Sequence, residues 1–229
     1  MDGRRHRFLV TGKYLGTHLL GDYETKSHWA PVSGEALHGP LKGKRLERLP
    51  VYQSTWQEWK GLRPDTLVTS GRGAPRTGHG SHCPSPDSTY LPNFVDSTRE
   101  RADPRLPDLD LVFGVDLDGR ARAYPLAILQ RLGPVLNDTV GGREIVVFAK
   151  SGSWLAVAFE RMLEGRALTF RPTADGLGFE DAGTGSRFDI TGKAVEGPLA
   201  GRQLRYVLSG LEKWCAWAAS HPETEIHAG

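Results

Sequence analysis

From Asp110 onward, short apolar runs alternate with turn-forming residues at the spacing of strands rather than helices. "DLVFGVDLDGRARAYPL" has apolar runs on both sides of Asp118-Gly119 and predicts a hairpin closing there. "YPLAILQRLG" then predicts a short helix ending at Gly133. "PVLNDTVGGREIVVFAK" predicts a second hairpin about Gly141-Gly142, and "SWLAVAFER" alternates as a strand does. Most of residues 110–209 is therefore expected to be a β-meander interrupted by one helix.

A second pattern runs through the chain at longer range. "SGEALHGPLKGKRL" begins at Ser33 and "TGKAVEGPLAGRQL" at Thr191, an offset of 158 residues. The same offset carries Trp56 to Trp214, Trp59 to Trp217, Pro64 to Pro222 and Thr66 to Thr224 without a gap. Each copy reads as strand, loop, strand, helix, strand, with glycines about Pro-Leu marking the loop. Two tryptophans three residues apart share one face of each helix, a placement expected to fill a core. The fold class expected is α+β and β-dominated, made of two related β-rich half-repeats, each with a short Trp-bearing helix.

The boundaries drawn from this reading are 1–72 for the N-terminal half-repeat, 73–109 for a Gly/Pro/Ser-rich connecting loop, and 110–229 for the C-terminal half-repeat with its additional meander. "DGRRHRF" at 2–8 aligns with "EGRALTF" at 164–170, so the first half opens inside what the second treats as a continuous sheet. A partner chain, a second copy or another segment is expected to cover that edge. An upstream part is expected to have been lost, trimmed or left out of this start, and a signal peptide could have gone with it.

Composition narrows the function classes. Hydrophobic residues make up 38% and charged residues 24%, and no apolar run is long enough to span a bilayer, so a water-soluble, cytoplasmic chain without membrane association is expected. The net charge of +2 is uneven: residues 1–76 hold 13 Lys and Arg against 7 Asp and Glu. Lys42, Lys44, Arg45 and Arg48 alternate with Leu46 and Leu49 as the solvated side of a strand would, and no nucleic-acid motif accompanies them. Cys83 and Cys215, the only thiols, allow one long-range disulfide.

Three groups of residues could carry chemistry. Asp138, with Asn137 beside it and Tyr124 as hydrogen-bonding partner, could act as a general base or ligand carboxylate; Asn and Asp at a strand end also shape turns. His79, His82 and Cys83, with His28, offer the imidazole and thiolate ligands that suit zinc, copper or iron. His28-Trp29 stands where the second copy has Arg187-Phe188, which marks it as a ligand-contacting pair kept in the first copy alone. The function expected is binding of a small molecule or metal ion at the seam between half-repeats, with no reaction assigned; the alternative is a non-catalytic scaffold or partner-binding module.

At "GRARAYPL" (119–126), "VLNDTVGG" (135–142) and "ETKSHWAPVSGEALHGPLKGKRLERLP" followed by "TWQEWKGLRPDT", the chain resembles the domain-of-unknown-function family numbered three-one-seven-nine. Members carry a similar ARAYPL phrase, a V-N-D-T-x-G-G hairpin and a segment ending in W-x-x-W…P-D-T. They usually have Cys-Pro-x-Cys-Gly-Ser after the strand that follows the hairpin; this chain has Ala149, Lys150 and Ser151 there. Where members have a His-Glu pair before the Asn-Asp step, it has Leu132, Gly133 and Pro134. The resemblance implies that chemistry resting on those thiols or that imidazole is absent from this half.

Overall fold

A computed structural model describes residues 4–68, 90–174 and 178–229. Strands β1 (Phe8–Tyr14), β2 (Thr17–Asp22), β3 (His28–Trp29) and β4 (Ala36–His38) form an antiparallel sheet in that order. Helices α1 (Trp56–Leu62) and α2 (Tyr90–Asp96) and a 3-10 turn at Arg99–Arg101 follow. Then come β5 (Leu111–Leu117), β6 (Arg120–Pro125), α3 (Leu126–Leu132), β7 (Val135–Val140), β8 (Arg143–Ala149) and β9 (Ala156–Glu160). A small hairpin, β10 (Met162–Leu163) with β11 (Arg166–Ala167), leads into a second four-stranded sheet of β12 (Phe170–Pro172), β13 (Phe179–Asp181), β14 (Arg187–Phe188) and β15 (Ala194–Glu196). The chain closes with β16 (Tyr206–Lys213), α4 (Trp214–Ser220) and β17 (Glu225–Ile226).

The centre is a seven-stranded sheet in the order β17-β6-β5-β16-β9-β8-β7, antiparallel except where β17 runs parallel to β6. Its two internal hairpins turn at Asp118-Gly119 and Gly141-Gly142, the positions expected. Both residues of each turn have positive φ (53° and 86°, 56° and 78°), the type I′ geometry that matches strand twist. One face of the sheet gathers Phe113, Val115, Tyr124, Val140, Ile145, Val147, Ala158 and Val207 into a single cluster, with Leu129 of α3 packed in. Side chains from β6 and β7, far apart in strand order, meet there, so the sheet curls toward closure.

The outer face is covered in two places. Val146, Phe148, Val157 and Phe159 pack against Phe170, Phe179, Phe188 and Leu204 of the second sheet and its flank, with the Phe148 and Phe179 rings stacked at 3.9 Å. Val112, Ala121 and Ala123 receive Trp214 and Trp217 of α4. Gly114 is obligatory in that contact, because a Cβ there would sit 2.3 Å from the Trp217 ring.

The two four-stranded sheets have like strand order and like bonds. In one, Thr25 donates to Asp22 and lies 2.7 Å from the Ser27 hydroxyl, while Ser27 accepts from Leu41 N–H; in the other, Thr184, Asp181, Ser186 and Leu199 do the same. Trp59 donates to Thr66 at 2.8 Å and Trp217 to Thr224 at 2.9 Å.

Three expectations need correction. The tryptophan pair lies in a core only in α4, where six of seven residues are buried; α1 has no buried residue and Trp56 is 54% exposed. The strand–helix–strand pattern likewise holds only for β16-α4-β17. The reason is pairing: β16 needs β5 and β9, and β17 needs β6. Residues 48–55 and 67–68, at the matching positions, have no such strands beside them among the described residues and remain non-strand. The stretch expected to be an irregular loop at 73–109 also contains α2 and the 3-10 turn, which pack toward β1–β2 and α4 through Gly16 N–H to Ser97 and Arg101 to the Ala219 carbonyl.

Candidate functional site

Asp138 sits at the closure of the curled sheet. Period-two alternation puts Arg122 and Tyr124 of β6 and Asp138 of β7 on the inner face. Arg122 donates to both Asp138 oxygens at 2.8 Å, Tyr124 donates its hydroxyl proton at 2.7 Å, and the Thr139 N–H donates at 2.7 Å. His227, just past β17, stands 3.6 Å from the same carboxylate, and Arg122 also bonds Glu225. Burial would push the Asp138 carboxyl up, but Arg122, Tyr124 and Thr139 outweigh it and hold it below the usual range. The Tyr124 hydroxyl is pushed far up by burial and by the adjacent Asp138. Asn137 points the other way. It donates to the Phe170 carbonyl at 2.8 Å and accepts from the Phe170 N–H at 2.9 Å, clamping β12 to β7.

A cleft of ≈ 550 Å³ lies elsewhere, between residues 33–48 and the β5–β6 turn, β16 and the end of α4. Arg45 and Arg48 face Asp116, Tyr206 and His221 across it. His221 is fixed by its helix: the ring stacks on Trp217 at 3.9 Å and Nδ1 lies 3.1 Å from the Trp217 carbonyl. A carbonyl only accepts, so Nδ1 carries the proton and Nε2 is the atom 3.7 Å from Asp116. His221, aided by the Gly119 N–H, outweighs burial and holds the Asp116 carboxyl down. Glu212, near Arg48 and His221, is instead pushed up by burial. A smaller crevice of ≈ 190 Å³ shares Gly119, Ala121 and Glu223 with the cleft and reaches Glu225.

The structure does not bring His28 or Trp29 to either place. His28 pairs with His38 across β3–β4, and Trp29 is fully buried with its indole N–H given to Asp22 at 2.9 Å. His79, His82 and Cys83 lie outside the described residues; Cys215 is buried, and burial pushes its thiol up. Among the described residues one group has metal-ligand spacing, His6, Asp22 and Glu24, with ligand atoms within 4.8 Å of one another. Its donors are largely engaged: Asp22 accepts from Thr25 and Trp29, and Glu24 takes two bonds from Arg7, which already supplies positive charge.

Sequence reading missed Arg122, Glu225, Arg48, Asp116 and His221. Two signals were present: Asp116 is the one charged position in β5, and Arg122 lies between alanines in β6. Among the described residues no helix is long and apolar enough to cross a membrane.

The architecture and its cleft define a β-dominated α+β protein with a charged crevice beside a curled sheet. The chain belongs to the family described as "Protein of unknown function (DUF3179)", whose model matches residues 1–224. No curated protein and no solved structure matches it.

Proposed function

We propose that this protein binds a small polar ligand in the cleft between residues 33–48 and the β5–β6 turn, β16 and α4, and that the sheets β1–β4 and β12–β15 descend from one duplicated unit. The observation that carries the binding reading is the cleft itself. Its ≈ 550 Å³ falls within the range of small-molecule sites, and charged side chains from distant parts of the chain converge on it. The matched bonds of Asp22-Thr25-Ser27 and Asp181-Thr184-Ser186 support the duplication. On this reading Asp138, Tyr124 and Asn137 hold the scaffold, since their polar atoms are committed to Arg122, to one another and to Phe170. Leu208 lines the cleft, so Leu208→Trp fills it. Screened by thermal shift against a library of small polar metabolites, the wild type gains melting temperature with at least one compound and Leu208→Trp does not. Equal gains in both proteins contradict the cleft as the site.

A second reading, a partner-binding module, is favoured by one region. Leu49, Val51, Trp56, Leu67 and Val68 are exposed, Leu67 to 94%, whereas Val207 and Trp214, the counterparts of Leu49 and Trp56, are buried. The edge strand β1 adds exposed Phe8, Leu9 and Val10. Sedimentation velocity across a concentration series then shows self-association that Trp56→Ser weakens; a monomer throughout removes a second copy as the partner. A metal site of His79, His82 and Cys83 remains a proposal for elemental analysis, in which metal well below one equivalent ends it.

A further inference from the structure

We infer that the ligand of the cleft carries an oxyanion, a carboxylate or a phosphate, gripped by Arg48; this rests on the binding reading above. Four arginines line the cleft, and three are matched to carboxylates: Arg45 to Glu35 at 3.0 Å, Arg143 to Asp118 at 2.8 Å and Arg205 to Glu160 at 3.4 Å. Arg48 has no hydrogen bond or ion pair among the described residues, although Asp116, Tyr206 and Glu212 lie within its electrostatic reach. Its stem runs past Gly34, where a Cβ would lie 3.7 Å from Arg48 Cγ.

His221 lies in the same wall with its side chain engaged. Its Nδ1 proton faces the Trp217 carbonyl, and Nε2 stands 3.7 Å from Asp116. The lining acids are better matched than Arg48. Asp116 accepts from the Gly119 N–H at 2.9 Å, Glu160 pairs with Arg143 and Arg205, and Asp118 pairs with Arg143. Glu223 is exposed and within the field of Arg105. What the cleft leaves unmatched is a guanidinium fork, which suits a ligand rich in acceptor oxygens.

The test follows the imidazole resonances of His221, assigned with His221→Asn, and the Gly119 amide by NMR at constant ionic strength. The protein is titrated separately with inorganic phosphate, succinate and choline. Saturable shifts at His221 and Gly119 with phosphate or succinate are expected, and the arm that saturates names the oxyanion. Arg48→Met weakens that binding about tenfold or more, the scale of a lost charge-assisted pair, while Arg205→Met, already paired and exposed, has a smaller effect. Saturation by choline alone overturns the oxyanion assignment and leaves the cleft reading standing. Linear shifts from both anions, or equal binding by Arg48→Met at unchanged melting temperature, also overturn it. Failure of the cleft reading is separately visible as compounds that stabilise wild type and Leu208→Trp alike.

Discussion

Asp138 shows how a single carboxylate can be caught between two roles that a sequence does not separate. An Asn-Asp step before a Gly-Gly turn is compatible with a turn former or a base, and the deciding partner, Arg122, lies 16 residues away on a strand not adjacent to β7 in the sheet. The bonds from Arg122 and Tyr124 make Asp138 a closing clasp. Asp138→Asn should cost about 3 kcal/mol, the scale of a broken partly buried pair, which for a domain of this size lowers the melting temperature by roughly 6–12 °C. Calorimetry showing no loss would return Asp138 to the list of catalytic candidates.

The pH dependence differs in sign between two residues. Asp138 is held low in the folded protein, so its contribution is present above the unfolded-state pKa and is lost as pH falls through its folded value. Glu212 is pushed up by burial, so the folded state retains its proton to higher pH and stability falls as pH rises out of the ordinary glutamate range. Glu212→Gln should therefore raise the melting temperature at pH 7 and lose that advantage below about pH 4, near the unperturbed glutamate value. Melting curves in which the gain is largest in acid would contradict the burial of Glu212.

At the scale of elements, α1 and α4 begin with tryptophans at matched positions and end in very different surroundings. Trp214 is fully buried between Val112, Ala121 and Ala123, whereas Trp56 stands half in solvent. Trp214→Ala should cost about 3–5 kcal/mol as a core truncation, and Trp56→Ala about 0.5 kcal/mol or less as a surface change. Equal costs in denaturant unfolding would mean that α1 has a cover in solution. Gly114→Ala tests the same contact from the strand side and should destabilise by about 1–3 kcal/mol, because the Trp217 ring occupies the space of the new methyl.

The hairpins at Asp118-Gly119 and Gly141-Gly142 and the end of α3 at Gly133 were legible because turn chemistry is local: Gly and Asp tolerate the positive φ those positions need. The burial of Trp214 and exposure of Trp56 were not, because burial depends on which strands lie across the helix. Arg48 read as a solvated strand position for the same reason. Only the fold brings Asp116 and His221 opposite it.

For the whole molecule, the curled sheet organises everything else. Its inner face holds the main core and the Asp138 clasp, one outer surface carries the second four-stranded sheet, and another carries α4 with His221 at its end. Residues 33–48 then complete the cleft from a part of the chain more than sixty residues before β5. The most direct measurement is mass spectrometry of small molecules that stay with the protein through gentle purification, wild type beside Leu208→Trp. A polar compound retained by the wild type and absent from the folded variant is the result predicted. The same compound in both, or none in either together with no stabilising compound in the library, would contradict the cleft as a binding site.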